Sequence, residues 1–389
     1  MLPVFQSKIG FTPRLAALYA AFFIVAGISQ PFLPVWLKAK GLDSATIGLV
    51  LAAPMLLRIL TIPLATRAAD RREALRGAIV LAACFTVAGY ALMGLAEGWV
   101  EILAAYALAS IAFTPLMPLS ETYAFKGLMA RGKAYGPVRL WGSATFILGN
   151  LAAGYAADII SARHIIWMIA VASFGTALAA IALMPVSTPA AAPSDAAPAR
   201  RTLLRDPAFI AVVLASSLIQ ASHAMFYGFS AVQWRGAGME GTTIAALWGL
   251  GVAAEIVLFA FSGRLPPFFS PTVMMMIGAL GATLRWSCMA FDPPVYLLPW
   301  LQLLHALSFG TTHLGALSFV ARHAPPGQAA TAQGYLAIAQ GVVMAGAMGI
   351  SGVLYAAFGS LAYAAMALAA IAGGACAVIA YRARGEAPG

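Results

Sequence analysis

PVSTPAAAPSDAAPARR, running from Pro185 to Arg201, lies near the middle of 389 residues and differs from everything on either side of it. Prolines, alanines and serines without an apolar period describe a flexible connector, not a packed element. A linker over 186–206 therefore divides the chain into 1–185 and 207–389. Outward from it in both directions the sequence turns strongly apolar. Hydrophobic residues make up 62% and charged residues 9% of the chain, where a soluble domain carries about 25% charged residues. The mean hydropathy is +0.87. Too little polar surface remains to coat a water-facing globule, so a soluble enzyme and a large domain outside a membrane are both excluded.

A membrane-crossing helix needs about 20 apolar residues. Hydropathy and charge positions predict twelve such helices, at 14–37, 45–66, 76–96, 100–123, 135–158, 164–185, 207–232, 242–262, 271–291, 295–320, 329–355 and 360–382. The expected fold is an all-α membrane protein of two six-helix bundles on either side of the linker. Lys8 and Arg14 precede an apolar stretch too long for a cleaved leader, which reads as the first retained helix.

The basic excess is 23 Lys and Arg against 13 Asp and Glu. Sixteen of the 23 fall in the termini and the loops on their side, and four in the opposite loops. That asymmetry satisfies the positive-inside rule with both termini cytoplasmic. No basic groove with interleaved aromatics remains, which excludes nucleic acid as a partner. Cys84, Cys288 and Cys376 lie singly in apolar runs and read as small core residues. Neither metal-ligand spacing nor a phosphate-cradling, HExxH or GxSxG motif occurs, so no cofactor, metal or enzymatic chemistry is expected.

GLDSATIG at Gly41–Gly48 corresponds to GMEGTTIA at Gly238–Ala245 with an offset of 197 residues. Each follows the first helix of its half and opens the second, the mark of an internal repeat. Paired repeats with a midplane site are the architecture of alternating-access carriers, although channels also duplicate.

Five charges sit inside apolar runs: Arg58, Glu121, Arg139, Glu255 and Arg285. Each marks a pathway or a partner, because an isolated charge at that depth costs several kcal/mol (about 3). Glu121 and Arg139 fall at similar depth on neighbouring helices and could pair around a ligand or only snorkel to the interface. Arg139, Ser143, Phe146 and Asn150 recur at helical spacing, a stripe suited to a water-filled cavity. Glu255 and Arg285 lie midway along their helices, where they either compensate one another or act on a ligand. His305 and His313 could border one cavity, and Gln220, His223 and Tyr227 share a helix face. Arg58, with Asp70, Arg71 and Arg72 just beyond it, reads as structural or gating. The repeat offset superposes Arg58 on Glu255.

Several motifs resemble the major facilitator superfamily over the whole chain. ATRAADRREALR looks like a degraded form of its loop signature between helices 2 and 3. YGPVRLWGSATFILGN at Tyr135–Asn150, HAMFYGFSAVQW at His223–Trp234 and GLGVAAEIVLFAFS at Gly249–Ser262 are similar to its 3-phenylpropionate-transporter-like branch. PLMPLSET at Pro115–Thr122 and LLHALSFGTTHLGAL at Leu303–Leu317 continue the likeness. More distantly, the chain resembles the proton-coupled sugar symporters of the lactose permease kind. That resemblance implies substrate contacts at Glu121 and Arg139, and coupling roles for Glu255, Arg285 and His305. A glutamate expected one turn after the histidine is Ser308 here, so the proton must ride elsewhere, with Glu255 and His305 the first choice, or the carrier is a uniporter.

Together these readings predict a secondary transporter in a bacterial inner membrane, acting as a monomer on a small molecule and a proton. Three buried arginines against two carboxylates leave one positive charge, which a bound monoanion would neutralise. The expected substrate is a small aromatic or apolar carboxylate, held by Arg139 beside Glu121. Trp141, Phe146, His223, Tyr227 and Trp248 are the expected polar and aromatic contacts. A sugar or nucleoside symporter and a drug exporter are the alternatives within transport.

Overall fold

The computed structural model describes residues 10–71, 74–186, 203–264, 266, 269–325 and 328–384, and among these every regular element is a helix. The first half holds α1 (Phe11–Ala39), α2 (Ser44–Arg71), α3 (Leu75–Leu95), α4 (Trp99–Phe113), α5 (Leu116–Met129), α6 (Gly136–Ile159) and α7 (Ile165–Ile181). The second holds α8 (Pro207–Ala221), α9 (Ala224–Gly236), α10 (Gly241–Phe261), α11 (Pro271–Ala290), α12 (Leu298–Leu303), a π-helical segment (Ala306–Thr311), α13 (Thr312–His323), α14 (Ala329–Phe358) and α15 (Tyr363–Arg384).

Ten stretches among the described residues are long and apolar enough to cross a membrane. The last, Thr331–Arg384, contains two helices, α14 and α15. The expectation of twelve spans is thus met only in part. The exception is α6: it is 24 residues long, yet Arg139, Ser143, Asn150 and Asp158 dilute its apolar character and keep it outside the ten. Three others of the ten are interrupted within the stretch. Trp99–Met129 breaks between α4 and α5, Pro207–Gly236 between α8 and α9, and Val295–His323 passes through the π segment.

The chain separates into two compact units. One contains residues up to Trp36 and those from Leu57 to the linker, and the other contains Leu37–Leu56 and the residues after the linker. In the first unit α3 packs against α4 and α7 around Leu15, Tyr19, Ile79, Leu119 and Tyr123. The seam between α1 and α6 is backbone against backbone. A Cβ on Gly27 would fall 2.2 Å from the Phe146 carbonyl oxygen, and one on Gly149 would fall 2.8 Å from that of Ile24. In the second unit α15 packs against α8 and α11 around Val212, Ala215, Met275, Phe319 and Ala377. Glycines again set the approach: Gly352 would place a Cβ 3.0 Å from the Cα of Gly48. Small residues let apolar helices approach closely, where dispersion replaces the hydrophobic drive that lipid removes.

Helix ends are closed by side chains from elsewhere in the same unit. The last carbonyls of α7 and the residues after it accept from Arg76 (Ile181 O, 2.7 Å), Arg14 (Ala182 O, 2.8 Å) and the Tyr123 hydroxyl (Met184 O, 2.7 Å). Cations there also oppose the negative end of the helix dipole. Asp206 caps α8 by accepting from the Ala208 amide and pairs with Arg384 at the end of α15.

The internal repeat is visible in the backbone. Gly41 and Gly238 both take positive φ, at 91° and 85°. Each ends its helix with the same two bonds: Gly41 N to Lys38 O and Leu42 N to Leu37 O, then Gly238 N to Arg235 O and Met239 N to Trp234 O. These are glycine-closed helix ends, and every atom of one is 197 residues from its counterpart. The acidic residues that follow diverge. Asp43 accepts from the Thr46 amide and hydroxyl, at 2.9 and 3.0 Å, and these bonds hold its carboxyl below the usual range. Glu240 makes no such side-chain cap.

Two expectations change. Cys84 is exposed on the outer surface of α3 and is not a core residue, Cys288 is half-buried, and Cys376, half-buried, packs against the core of the second unit. The side chains of Asp70 and Arg71, and the whole of Arg72, lie outside the described residues, as does most of the linker.

Candidate functional site

The break between α8 and α9 leaves backbone carbonyls without helical partners, and His223 stands at that break. Its Nδ1 lies 3.2 Å from both the Ile219 and the Gln220 carbonyl oxygens. Carbonyl oxygens only accept, so Nδ1 carries the proton and Nε2 presents a lone pair. Ser308 Oγ, inside the π segment, is 3.0 Å from Nε2 and donates to it. Ser222 Oγ also donates to Ile219 O, at 2.6 Å, and accepts from Trp286 Nε1 at 2.9 Å. An irregular backbone in an apolar span persists where side chains satisfy it in this way.

Arg285, on α11, is fully buried. Its Nη1 is 3.1 Å from His305 Nδ1, and its Nη2 donates to Gln302 Oε1 at 2.5 Å. The rings of Phe226 and Trp286 lie against the guanidinium, at 4.5 and 4.6 Å from its central carbon and 6.0 Å from each other. A guanidinium only donates, so His305 Nδ1 accepts and its proton sits on Nε2, which faces Glu255 Oε2 at 3.5 Å. Carboxylate, imidazole and guanidinium thus form one line across α10, the end of α12 and α11. The charge of Arg285 is offset by Glu255 through a neutral histidine, the arrangement a buried cation requires.

Aromatic rings enclose this line. Trp248 stacks on Phe226 at 4.7 Å, Tyr227 on His223 at 5.7 Å, and Phe309 on His305 at 5.2 Å, with His313 beyond Phe309 at 5.8 Å. The rings of His223 and His305 are 5.5 Å apart. Glu255, Arg285, His305, His223, Tyr227 and Trp248, expected from the sequence, therefore belong to one cluster. Gln302, Phe226 and Trp286 complete it and were not among the expected residues. Gln302, three residues before His305 in an apolar run, was recognisable as a helical neighbour of that histidine. Phe226 and Trp286 carried no such signal.

In the first unit the expected residues divide. Glu121 and Arg139 form no ion pair. The Glu121 carboxylate accepts from the Tyr135 hydroxyl at 3.4 Å, and Tyr135 lies 3.4 Å from the Tyr19 hydroxyl. Arg139 instead rests over the Phe23 ring, its central carbon 4.3 Å from the centroid, in space kept open by Gly142. Phe146 and Asn150 are buried in the α1–α6 seam, so only the Arg139 and Ser143 end of the stripe is accessible. Trp141 is two residues from Arg139, about 200° around the helix. It is exposed in a shallow apolar groove with Thr12, Ala16 and Val138, away from the guanidinium. Arg58 is exposed on α2.

Residues 13–365 match the MFS_1-like family. The chain is 32% identical over 372 residues to the probable 3-phenylpropionic acid transporter of Escherichia coli, covering 92% of this chain and 95% of that one. It is 28% identical to the maltose permease of Geobacillus stearothermophilus, over 83% of this chain and 82% of the permease. Among solved structures, the nucleoside transporter NupG superposes with a TM-score of 0.79 at 17% identity, covering 97% and 99% of the two chains. A bacterial homologue of the lysosomal transporter Spinster superposes at 0.76 and 14% identity, covering 95% and 96%. With a family match that takes in nearly the whole chain and a fold shared end to end, this protein belongs to the MFS_1-like family of the major facilitator superfamily and is a membrane transporter.

Proposed function

We propose that the chain imports a small aromatic or apolar monocarboxylate together with a proton, by alternating access across a bacterial inner membrane. The observation that carries the anion half of this reading is Arg139. Among the described residues no carboxylate lies within ion-pair distance of its guanidinium, whereas Arg285 is offset by Glu255. A partly accessible cation resting on an aromatic ring suits bidentate capture of a carboxylate and an apolar neighbour for its body. The 32% identity to a probable 3-phenylpropionic acid transporter supports the same substrate class.

Glu255 is the proposed proton carrier. Ionised, it accepts from His305 and offsets Arg285. Protonated, it releases that line, and the positive charge left behind requires the incoming anion, which ties proton and substrate movement together. Glu121, Tyr227 and Trp248 remain the proposed substrate neighbours; Phe146, buried in the α1–α6 seam, and His223, fully buried with both ring nitrogens engaged, leave that set. Trp141 is the proposed lipid-facing residue, and Arg58, Asp70 and Arg71 a gating group. The halves 1–185 and 207–389 are the proposed moving bodies of a monomer with cytoplasmic termini.

A sugar symporter is the second reading, favoured by the 28% identity to a maltose permease. Purified protein in liposomes separates the two. Under an imposed inward proton gradient, labelled 3-phenylpropionate is expected to accumulate while maltose and a nucleoside do not. Arg139→Lys is expected to weaken uptake about tenfold, since one point charge replaces a two-pronged donor. Unchanged affinity in that variant, or accumulation of maltose alone, would overturn the anion reading.

A further inference from the structure

We infer that His223 and Ser308 form a second proton site, and that His223 takes up a proton during the transport cycle. The inference rests on the proton-linked reading above and adds to it a residue and an atom. It follows from comparing the two buried histidines. His305 cannot accept a second proton where it stands. Its Nδ1 already receives Nη1 of Arg285 at 3.1 Å, so a proton there would set two donors against each other beside a permanent cation.

His223 has no such conflict. Its Nδ1–H is directed at two backbone carbonyls, which accept equally well from a neutral ring or an imidazolium. Its Nε2 faces a hydroxyl at 3.0 Å, and a hydroxyl both donates and accepts. When a proton arrives on Nε2, an N–H bond forms there, and the Ser308 hydroxyl rotates from donating to accepting. Its own hydrogen then turns towards the preceding helical turn, the ordinary serine-to-carbonyl bond of helices. Every polar atom of the ring keeps a partner in both states. A fully buried side chain whose two protonation states are both satisfied is built to change state, whereas one satisfied in a single state is built to stay.

The groups around His223 set the sign of its response. From α11 come Trp286, edge-on at 5.0 Å, and Arg285 behind it. From the end of α12 and the π segment come His305 at 5.5 Å, Phe309 at 6.2 Å and Ser308. From α8 and α9 come Gln220 and Tyr227, and Glu255 on α10 reaches the cluster through His305. Arg285 opposes a charge on His223, and Glu255 and the two carbonyls favour it. Uptake onto His223 is therefore promoted when Glu255 is ionised or a substrate carboxylate lies nearby. It is opposed when Arg285 stands alone. The two proton sites are coupled through one arginine.

Proteoliposomes loaded with labelled 3-phenylpropionate test this. Equilibrium exchange of substrate needs no net proton turnover, while accumulation under a proton gradient does. His223→Gln keeps a hydrogen-bonding side chain against Ser308 and the carbonyls, and is expected to retain exchange while losing accumulation. Ser308→Ala removes the acceptor that the imidazolium needs. It is expected to retain accumulation with its pH midpoint moved to lower pH, because the charge-assisted bond lost is stronger than the neutral one. Accumulation at the wild-type level in His223→Gln would overturn the inference, as would joint loss of exchange and accumulation in that variant. Failure of the wild type itself to accumulate the acid under a proton gradient would instead remove the proton-linked reading on which this one stands.

Discussion

Arg285 illustrates how a residue that costs a great deal to bury can be held. Its guanidinium donates from two nitrogens to two different side chains and lies against two aromatic rings that themselves touch. Lysine keeps the charge and loses the fork and the flat faces, so Arg285→Lys is expected to lower stability by about 1.5–3 kcal/mol, the worth of one charged hydrogen bond. Thermal unfolding in detergent reads this, and a melt unchanged from wild type would mean that the charge alone matters. The charged members of this cluster were legible in the sequence because Glu255, Arg285 and His305 interrupt apolar runs in which nothing ionisable is expected. Phe226 and Trp286 were not, since an aromatic residue in such a run is ordinary and only its position against the guanidinium distinguishes it. The pairing of Glu121 with Arg139, one of the readings the sequence left open, does not form for a related reason. Similar depth on neighbouring helices does not fix direction, and Phe23 and Tyr135 occupy the positions that each would otherwise have offered the other.

Among the elements, the α1–α6 seam depends on an absence of side chains. Gly27 faces the Phe146 carbonyl so closely that no Cβ fits. Gly27→Ala is expected to cost about 1–3 kcal/mol through overpacking. Gly175→Ala on α7 meets nothing within 4 Å and is expected to be neutral or slightly stabilising, since alanine favours a helix. Detergent melts of the two variants, compared side by side, check the seam; equal behaviour would show that it relaxes freely. Helix positions were read well from hydropathy, and the repeat was read from eight residues whose glycine-closed ends recur at the same offset. The breaks were not read. His223 and Ser222 satisfy the interrupted backbone of the seventh expected helix from within an unbroken apolar stretch, and no proline or glycine announces the interruption there.

At the scale of the molecule, charge distribution governs orientation. The arginines counted for the positive-inside rule also close helix ends, as Arg14 and Arg76 do for α7, so topology and packing draw on the same side chains. On the proposed topology, with both termini cytoplasmic, a reporter tag at either end is expected to stay protected from an external protease in spheroplasts and to be cleaved after permeabilisation. Cleavage of one tag before permeabilisation would require an odd number of crossings. Among the described residues, the helix below the apolar threshold for crossing, α6, bears on that count, and it is also the helix that carries Arg139.

The π segment at Ala306–Thr311 holds a spare residue in the run that continues from the turn at Leu304 into α13. A helix of this kind carries a phase, and each residue advances it by about 100° and about 1.5 Å. Absorbing the spare residue into regular winding would rephase His313 against His305 by that single step without breaking the run. Deleting one residue within 306–311 would achieve the same result in the gene, leaving a straighter helix whose two ends no longer present their histidines in the present register.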